Sequence, residues 1–229
     1  MMFLDLLFPK KCIACKKIGS YICDNCFSYL TFDAKNTCLV CDRPSFDGLT
    51  HLRCKKRHGI DGCFSSISHN KTAQKLIYSF KQKPYLSSLK NILSDLFYEG
   101  LIQNENFIRE LNKGKWIAIP VPLHKTKLRK RGYNQSEILA EELAKKFNFQ
   151  TKSLLERVKN TKIQLGLDKK RRKENIKDAF KINTNYMLDA KNIFLVDDLA
   201  TTGFTLNEAA SVLKRAGVKK VIGLTLARD

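Results

Sequence analysis

The run Ile193-Phe-Leu-Val-Asp-Asp-Leu-Ala-Thr-Thr-Gly-Phe-Thr205 leaves a chain little freedom in how it folds. The short apolar run Ile193 to Val196 predicts a buried strand. Asp197 and Asp198 follow directly, and then the turn Thr201-Thr202-Gly203-x-Thr205. From about Leu206 the apolar spacing is that of an amphipathic helix. A strand that passes through such a turn into a helix aims backbone N–H groups and Thr hydroxyls at one point. The positive end of the helix favours phosphate there. Two acids beside that point can hold the hydroxyls of a sugar, directly or through Mg²⁺. An ordinary strand with an Asp-capped helix explains one acid and one Thr, but not the acid pair and the turn together.

The segment resembles the PRPP-binding signature of the type I phosphoribosyltransferases. That resemblance implies that Asp197 and Asp198 contact the ribose hydroxyls and form the catalytic pair. It also implies that Val196, Ala200, Thr201, Thr202, Gly203 and Thr205 surround the 5′-phosphate, with Mg²⁺ accompanying PRPP.

Charge points the same way. The 229 residues suffice for one medium domain plus a small module, and a 43% hydrophobic share supports a true core. A net charge of +20 favours a polyanionic partner: nucleic acid, an acidic membrane surface or phosphorylated metabolites. The excess is uneven. Residues 121–175 hold 16 basic and 6 acidic side chains, a net of +10, whereas the first 64 residues carry only +4. This concentration argues against a uniform solubility coat. No stretch approaches the ~20 apolar residues that span a bilayer. Met1 to Phe8 is apolar but short, is interrupted by Asp5 and lacks the features of a secretory leader. It is expected to form a short N-terminal helix packed on the body. The expected location is the cytoplasm, with peripheral contact at the inner membrane as the alternative.

Eight cysteines stand at positions 12, 15, 23, 26, 38, 41, 54 and 63. Six of them form three Cys-x-x-Cys pairs, each able to present two thiolates from one tight knuckle, and two knuckles close a tetrahedral Zn²⁺ site. Cys12, Cys15, Cys23 and Cys26 make the compact set. Cys38 and Cys41 take Cys54 as a third ligand. The fourth is open among His51, His58 and Cys63, and an interleaved pairing of the first and third knuckles is open too. Cys63 reads better as a small buried hydrophobe at a strand start. Sixty polar residues cannot build a core without metal, so residues 1–60 are expected to form a zinc-ribbon module and residues 61–229 a second domain.

Apolar spacing in that second part predicts strands at 63–68, 116–119, 192–196 and 218–226 and helices at 71–80, 86–101, 137–147 and 204–215. Alternating strands and helices imply an α/β fold: a largely parallel sheet flanked by helices, with ligands beyond the carboxyl ends of its strands. Two basic segments, 120–135 and 161–175, are read as loops. By the same resemblance the first faces pyrophosphate, with Pro120, Val121, Arg129 and Arg131 as contacts, and the second is a flexible lid. Arg forks suit phosphate oxygens.

A narrower resemblance covers nearly the whole chain. The opening Leu7 to Cys15, the block Pro120 to Gln135 and the set Thr161, Gln164, Arg172, Asn175, Ala179 and Phe180 resemble the ComF family of competence proteins. The family usually has a fourth Cys-x-x-Cys; here Arg57 stands where its second cysteine would fall. The resemblance implies a type I phosphoribosyltransferase fold behind a zinc ribbon. It also implies handling of incoming single-stranded DNA during natural transformation, alongside a DNA-translocating helicase or other competence proteins. Candidate DNA contacts are Lys125, Lys127, Arg129, Lys130, Arg131, Lys169, Lys170, Arg171 and Arg172. Tyr133 and Phe180 could stack on bases, with core packing the stronger reading for Phe180. An active phosphoribosyltransferase with an unknown base or amine as acceptor is the alternative. A third reading treats the motif as a relic beside a protein-docking ribbon.

Overall fold

The computed structural model describes residues 9–82, 87–161, 169–183 and 191–228. The expected N-terminal helix lies outside these residues. Helix α1 (Asp24–Phe27) and a 3-10 turn (Leu52–Cys54) belong to the cysteine-rich part. Strand β1 (Gly62–Ser68) leads to α2 (Lys71–Gln82), α3 (Ser87–Ile102) and α4 (Glu105–Leu111). Strand β2 (Ile117–Pro120) leads to α5 (Lys125–Arg131) and α6 (Gln135–Phe147). Then come β3 (Gln150–Thr151), β4 (Leu155–Arg157), α7 (Lys169–Ile176) and β5 (Phe180–Ile182). Strand β6 (Asn192–Ala200), α8 (Phe204–Arg215) and β7 (Lys220–Arg228) complete the described chain.

The main sheet is parallel throughout, in the order β1-β7-β6-β2-β3, so β6 lies at its centre. Its near-continuous apolar run is what burial on both faces requires. Successive residues serve opposite layers, as the two-residue period of a strand dictates. Phe194 and Val196 enter the core with Phe97, Phe107 and Leu139, while Ile193 and Leu195 enter the core with Leu206, Ala210 and Leu213. Trp116 stacks on Phe194 with ring centroids 4.0 Å apart. Helix α3 lies flush on β1: a Cβ on Gly100 would fall 2.6 Å from Ser66 Cα.

Besides the short α4 and β3, which apolar spacing did not predict, four features differ from the sequence expectation. Strand β6 does not stop at Val196 but continues through both acids to Ala200, because β7 pairs alongside it as far as Ala200↔Arg228. The first basic segment is not a loop throughout. His124 Nδ1 accepts from Thr126 N, and Gly132 at φ +84 closes the short helix α5 between them. The second basic segment is helical from Lys169, while its residues 162–168, Gln164 among them, lie outside the described part. Helices α5 and α7 escape a periodicity search because both are mostly charged and exposed, with little apolar stripe to detect. Finally, β4 and β5 pair antiparallel beside the main sheet, and three residues each are too few to show alternation.

The cysteine-rich part docks on the sheet through main chain. Leu49 bridges Gly62, Thr50 N donates to Asp61 O, and Cys63 N donates to Gly48 O. Cys63 is buried in β1, as expected for a small hydrophobe.

Candidate functional site

Asp197 and Asp198 stand at the carboxyl end of β6, where alternation sends them to opposite sides of the strand. Asp197 Oδ1 accepts from Ser136 Oγ at 2.8 Å and from Asp198 N at 2.9 Å. Ser136 is placed by Asn134, which accepts from Ser136 N and donates its own Nδ2 to Val121 O, tying the start of α6 to the end of β2. Burial, with repulsion from Asp198, pushes the Asp197 carboxyl up to about 6; Lys81 and the two donors offset this only in part. Asp198 is buried and pairs with Lys81 Nζ at 2.8 Å through one oxygen. Its Oδ2 is buried without a hydrogen-bond partner.

The turn after β6 is set by Gly203 at φ +69, a left-handed conformation that glycine adopts without strain. Gly203 is the N-cap of α8 and offers no side-chain cap, so the helix begins directly at the turn. Arg172, carried by α7, donates to Thr201 Oγ1 at 3.3 Å and thus brings the second basic segment to the turn. Val196 and Ala200 are buried, and the Val196 carbonyl accepts from Val121 N. Of the residues expected around phosphate, these two, with Val121, shape the site through backbone and packing.

A cationic cluster completes the site. Arg157 at the end of β4 is half-buried, lies over the Phe180 ring at 5.4 Å, and donates Nη2 to Thr161 Oγ1 at 2.5 Å. Its Nε is buried without a hydrogen-bond partner. Desolvation lowers its pKa, and the Asp197 carboxylate pulls it back up. Lys127 Nζ donates to Thr161 O at 2.8 Å, and burial, then Arg157 and Arg131, lower its pKa. Arg131 donates to Gln135 Oε1. Tyr133 packs edge-on to Phe80, and its buried hydroxyl has no hydrogen-bond partner. Burial raises the Tyr133 pKa, with Arg131 lowering it and Asp198 raising it. Three orphaned polar atoms thus gather at the acid pair: one on Asp198 itself, and those of Tyr133 and Arg157 within electrostatic reach of it. Buried polar groups are ordinarily satisfied, so this arrangement fits a polar ligand carrying both hydroxyls and negative charge.

The basic residues expected at DNA divide into two sets. Lys125, Arg129, Lys130, Lys170 and Arg171 are exposed, whereas Lys127, Arg131 and Arg172 are half-buried and turned toward the site or its turn. The Lys169 side chain lies outside the described residues. Phe180 is buried in the core, as expected. Sequence reading missed Lys81, Ser136 and Arg157. Ser136 is one residue beyond the Pro120–Gln135 block, whereas Lys81 looked like part of a helix terminator and nothing in the sequence marks Arg157 as buried.

The cysteines form two clusters in chain order, not interleaved. In each, the four ligand atoms lie within 4.8 Å of one another: Cys12, Cys15, Cys23 and Cys26, then Cys38, Cys41, His51 and Cys54. His51 stands in the fourth position that spacing left open. Its Nε2 lies 3.0 Å from Pro44 O, which orients Nδ1 toward Cys41 Sγ at 3.3 Å. Cys₄ and Cys₃His donor sets at this spacing suit tetrahedral Zn²⁺. Backbone N–H groups, led by that of Cys15, hold the Cys12 thiol down at about 6 against desolvation. Desolvation and the neighbouring thiols push Cys26 up to about 12. Four crowded thiols cannot all ionise without a cation among them.

A parallel sheet whose central strand carries an acid pair near its carboxyl end, followed by a glycine turn into a helix, defines a phosphoribosyltransferase-type domain; here a zinc ribbon is docked on it. Family models match accordingly: a double zinc ribbon domain over residues 3–56 and a phosphoribosyl transferase domain over residues 131–229. Competence protein F of Haemophilus influenzae is 38% identical over 112 residues, 48% of this chain and 49% of that protein. DNA utilization protein YhgH of Escherichia coli K12 is 34% identical over 104 residues, 45% of each chain. The chain thus spans about half the length of these relatives. Competence protein ComFC of Bacillus subtilis is 27% identical over 219 residues, 91% of this chain and 84% of that protein. These matches support the likeness to the ComF family of competence proteins.

Proposed function

We propose that this protein binds single-stranded DNA during DNA uptake and holds PRPP, or a related ribose phosphate, at the end of β6. The observation that carries the sugar-phosphate reading is the set of orphaned polar atoms around Asp197 and Asp198. In this reading the acids hold ribose hydroxyls and Mg²⁺. The start of α8, with Thr201, Thr202 and Thr205, holds the 5′-phosphate. Lys127, Arg131, Arg157 and Arg172 hold the remaining phosphate charge. Each cysteine cluster holds one Zn²⁺. The exposed cations of α5 and α7 track the DNA backbone, with affinity falling as salt rises.

Calorimetry with Mg²⁺–PRPP, followed by DNA-binding titrations with and without it, tests this reading. Micromolar heat and a salt-dependent single-strand affinity are expected. Absence of heat removes the sugar-phosphate site, and absence of DNA binding at low salt removes the nucleic-acid role.

A second reading is favoured by the cation cluster facing the acids. It is the arrangement that would stabilise pyrophosphate as it leaves C1 of the sugar, while the acids hold the ribose as positive charge develops. The protein would then transfer phosphoribosyl to a base or amine. Release of pyrophosphate from PRPP only in the presence of such an acceptor would establish it.

A further inference from the structure

The phosphate turn is not built by the sheet domain alone. Leu39 lies between Cys38 and Cys41 in the knuckle of the second cysteine cluster, yet it is buried in the core that contains Ala200, Leu206 and Ala209. It sits directly on Gly203: a Cβ there would fall 2.7 Å from Leu39 Cδ1. Gly203 is therefore constrained twice, by its left-handed φ and by the side chain pressed against it. Two further ties hold the knuckle in place. Arg228, at the end of β7 and in register with Ala200, donates Nη1 to Thr37 O and pairs Nη2 with Asp42 Oδ1, both at 2.9 Å. Thr37 and Asp42 flank the Cys38–Cys41 knuckle. Farther on, Ile60 N donates to Asn207 Oδ1 in the first turn of α8 at 3.2 Å. The knuckle thus touches the turn and the strand end beside it, while the chain that follows it is tied at Ile60 to the helix that begins after the turn.

We propose that Leu39 is a positioning residue for the sugar-phosphate site, and that the second metal cluster holds the phosphate turn in its binding conformation through it. The inference rests on reading the turn as a PRPP site and the Cys38, Cys41, His51 and Cys54 cluster as a Zn²⁺ site. The knuckle keeps its shape only while its four ligands converge on a cation. When that cation leaves, Leu39 loses its fixed position and Gly203 its support. Coupling of this kind is reciprocal, so a ligand that orders the turn must tighten metal binding at the second cluster by the factor that metal adds to ligand affinity, and slower metal loss is the expected form of that gain. The first cluster, with no such contact on the turn among the described residues, should be indifferent.

The experiment follows Zn²⁺ transfer from the zinc-loaded full-length protein to a chromophoric chelator. The phase belonging to the second cluster is identified as the one accelerated by His51→Ala. Saturating Mg²⁺–PRPP should slow that phase at least fivefold and leave the other unchanged. Leu39→Ala should abolish the slowing and weaken PRPP binding at least tenfold with two zincs still bound, while Leu39→Met, which keeps the volume, should retain both. Slowing that persists in Leu39→Ala overturns the proposal, as does PRPP binding without any effect on the second phase. A second arm needs no ligand, so it stands even if PRPP does not bind and the reading of the site fails. Gly203→Ala should accelerate zinc release from the second cluster in the wild-type background and much less in the Leu39→Ala background. Equal acceleration in both backgrounds overturns the contact as the route of coupling.

Discussion

Asp197 is the residue in which the electrostatics of the site concentrate. Its folded pKa of about 6 stands above the ordinary value of 3.8, with desolvation the largest cause. As pH rises from about 4 to 6, the unfolded chain loses this proton while the folded chain still holds it. The native state then binds more protons, so this group makes stability fall with rising pH across that window and level off above it. Asp197→Asn should remove that slope in the ligand-free protein, measured as the difference in urea midpoints between pH 4.5 and 7. Arg157 supplies the complementary test. Replacing a buried, under-satisfied cation by Met should not lower the unfolding midpoint, yet it should weaken Mg²⁺–PRPP binding at least tenfold, about 1.4 kcal/mol. A lowered midpoint with unchanged binding would mean that Arg157 is a structural group. The acids were legible in the sequence because they adjoin a strand and a phosphate-type turn. Arg157 was not, since its partners come from the loop after β4 (Thr161), from β5 (Phe180) and from β6 (Asp197).

Among the elements, the helices that carry charge differ in kind from those that carry the core. Helix α3 is placed by its fit to β1, and Gly100→Ala would press a methyl into Ser66 backbone atoms that cannot yield. A loss of about 2–3 kcal/mol is expected in chemical denaturation, with the sheet unable to close on its helix. Helix α5 is held at its ends, by His124 and Gly132, and leaves Lys125, Arg129 and Lys130 in solvent. Arg129→Ala should weaken single-strand binding to all sequences alike and reduce the logarithmic salt slope by about one, with PRPP binding unchanged. Arg131→Ala should instead weaken PRPP, because that side chain is half-buried and bonded to Gln135 beside the site. Opposite outcomes for the two variants would reverse these assignments. The distinction between adjacent cations depends on which face of a two-turn helix each occupies, and a run of charge in the sequence does not record that.

For the whole molecule, the zinc ribbon and the sheet domain form one structure across a contact of main-chain bonds, the Leu39–Gly203 packing and the Arg228 clamp. Stripping metal with a strong chelator should expose residues 10–60 to protease within minutes, while the sheet and its helices resist. Ribbon cores this small take most of their folding free energy from the metal. Equal protection with and without chelator would show that the ribbon holds its fold by packing alone. Local chemistry alone settled much of this protein. Cysteine spacing determined that there are zinc-ribbon knuckles, apolar periodicity determined a parallel α/β sheet with helices around it, and the strand–acid–turn–helix order located the proposed sugar-phosphate site. These are short-range properties, written in neighbouring residues and in the periods of strand and helix. Only the tertiary structure decided that His51 joins the second cysteine cluster, that Lys81, Ser136 and Arg157 lie by the acids, and that Leu39 of a cysteine knuckle packs on Gly203. Those relations join residues from about ten to more than 160 positions apart, and what brings them together is the burial of a shared core.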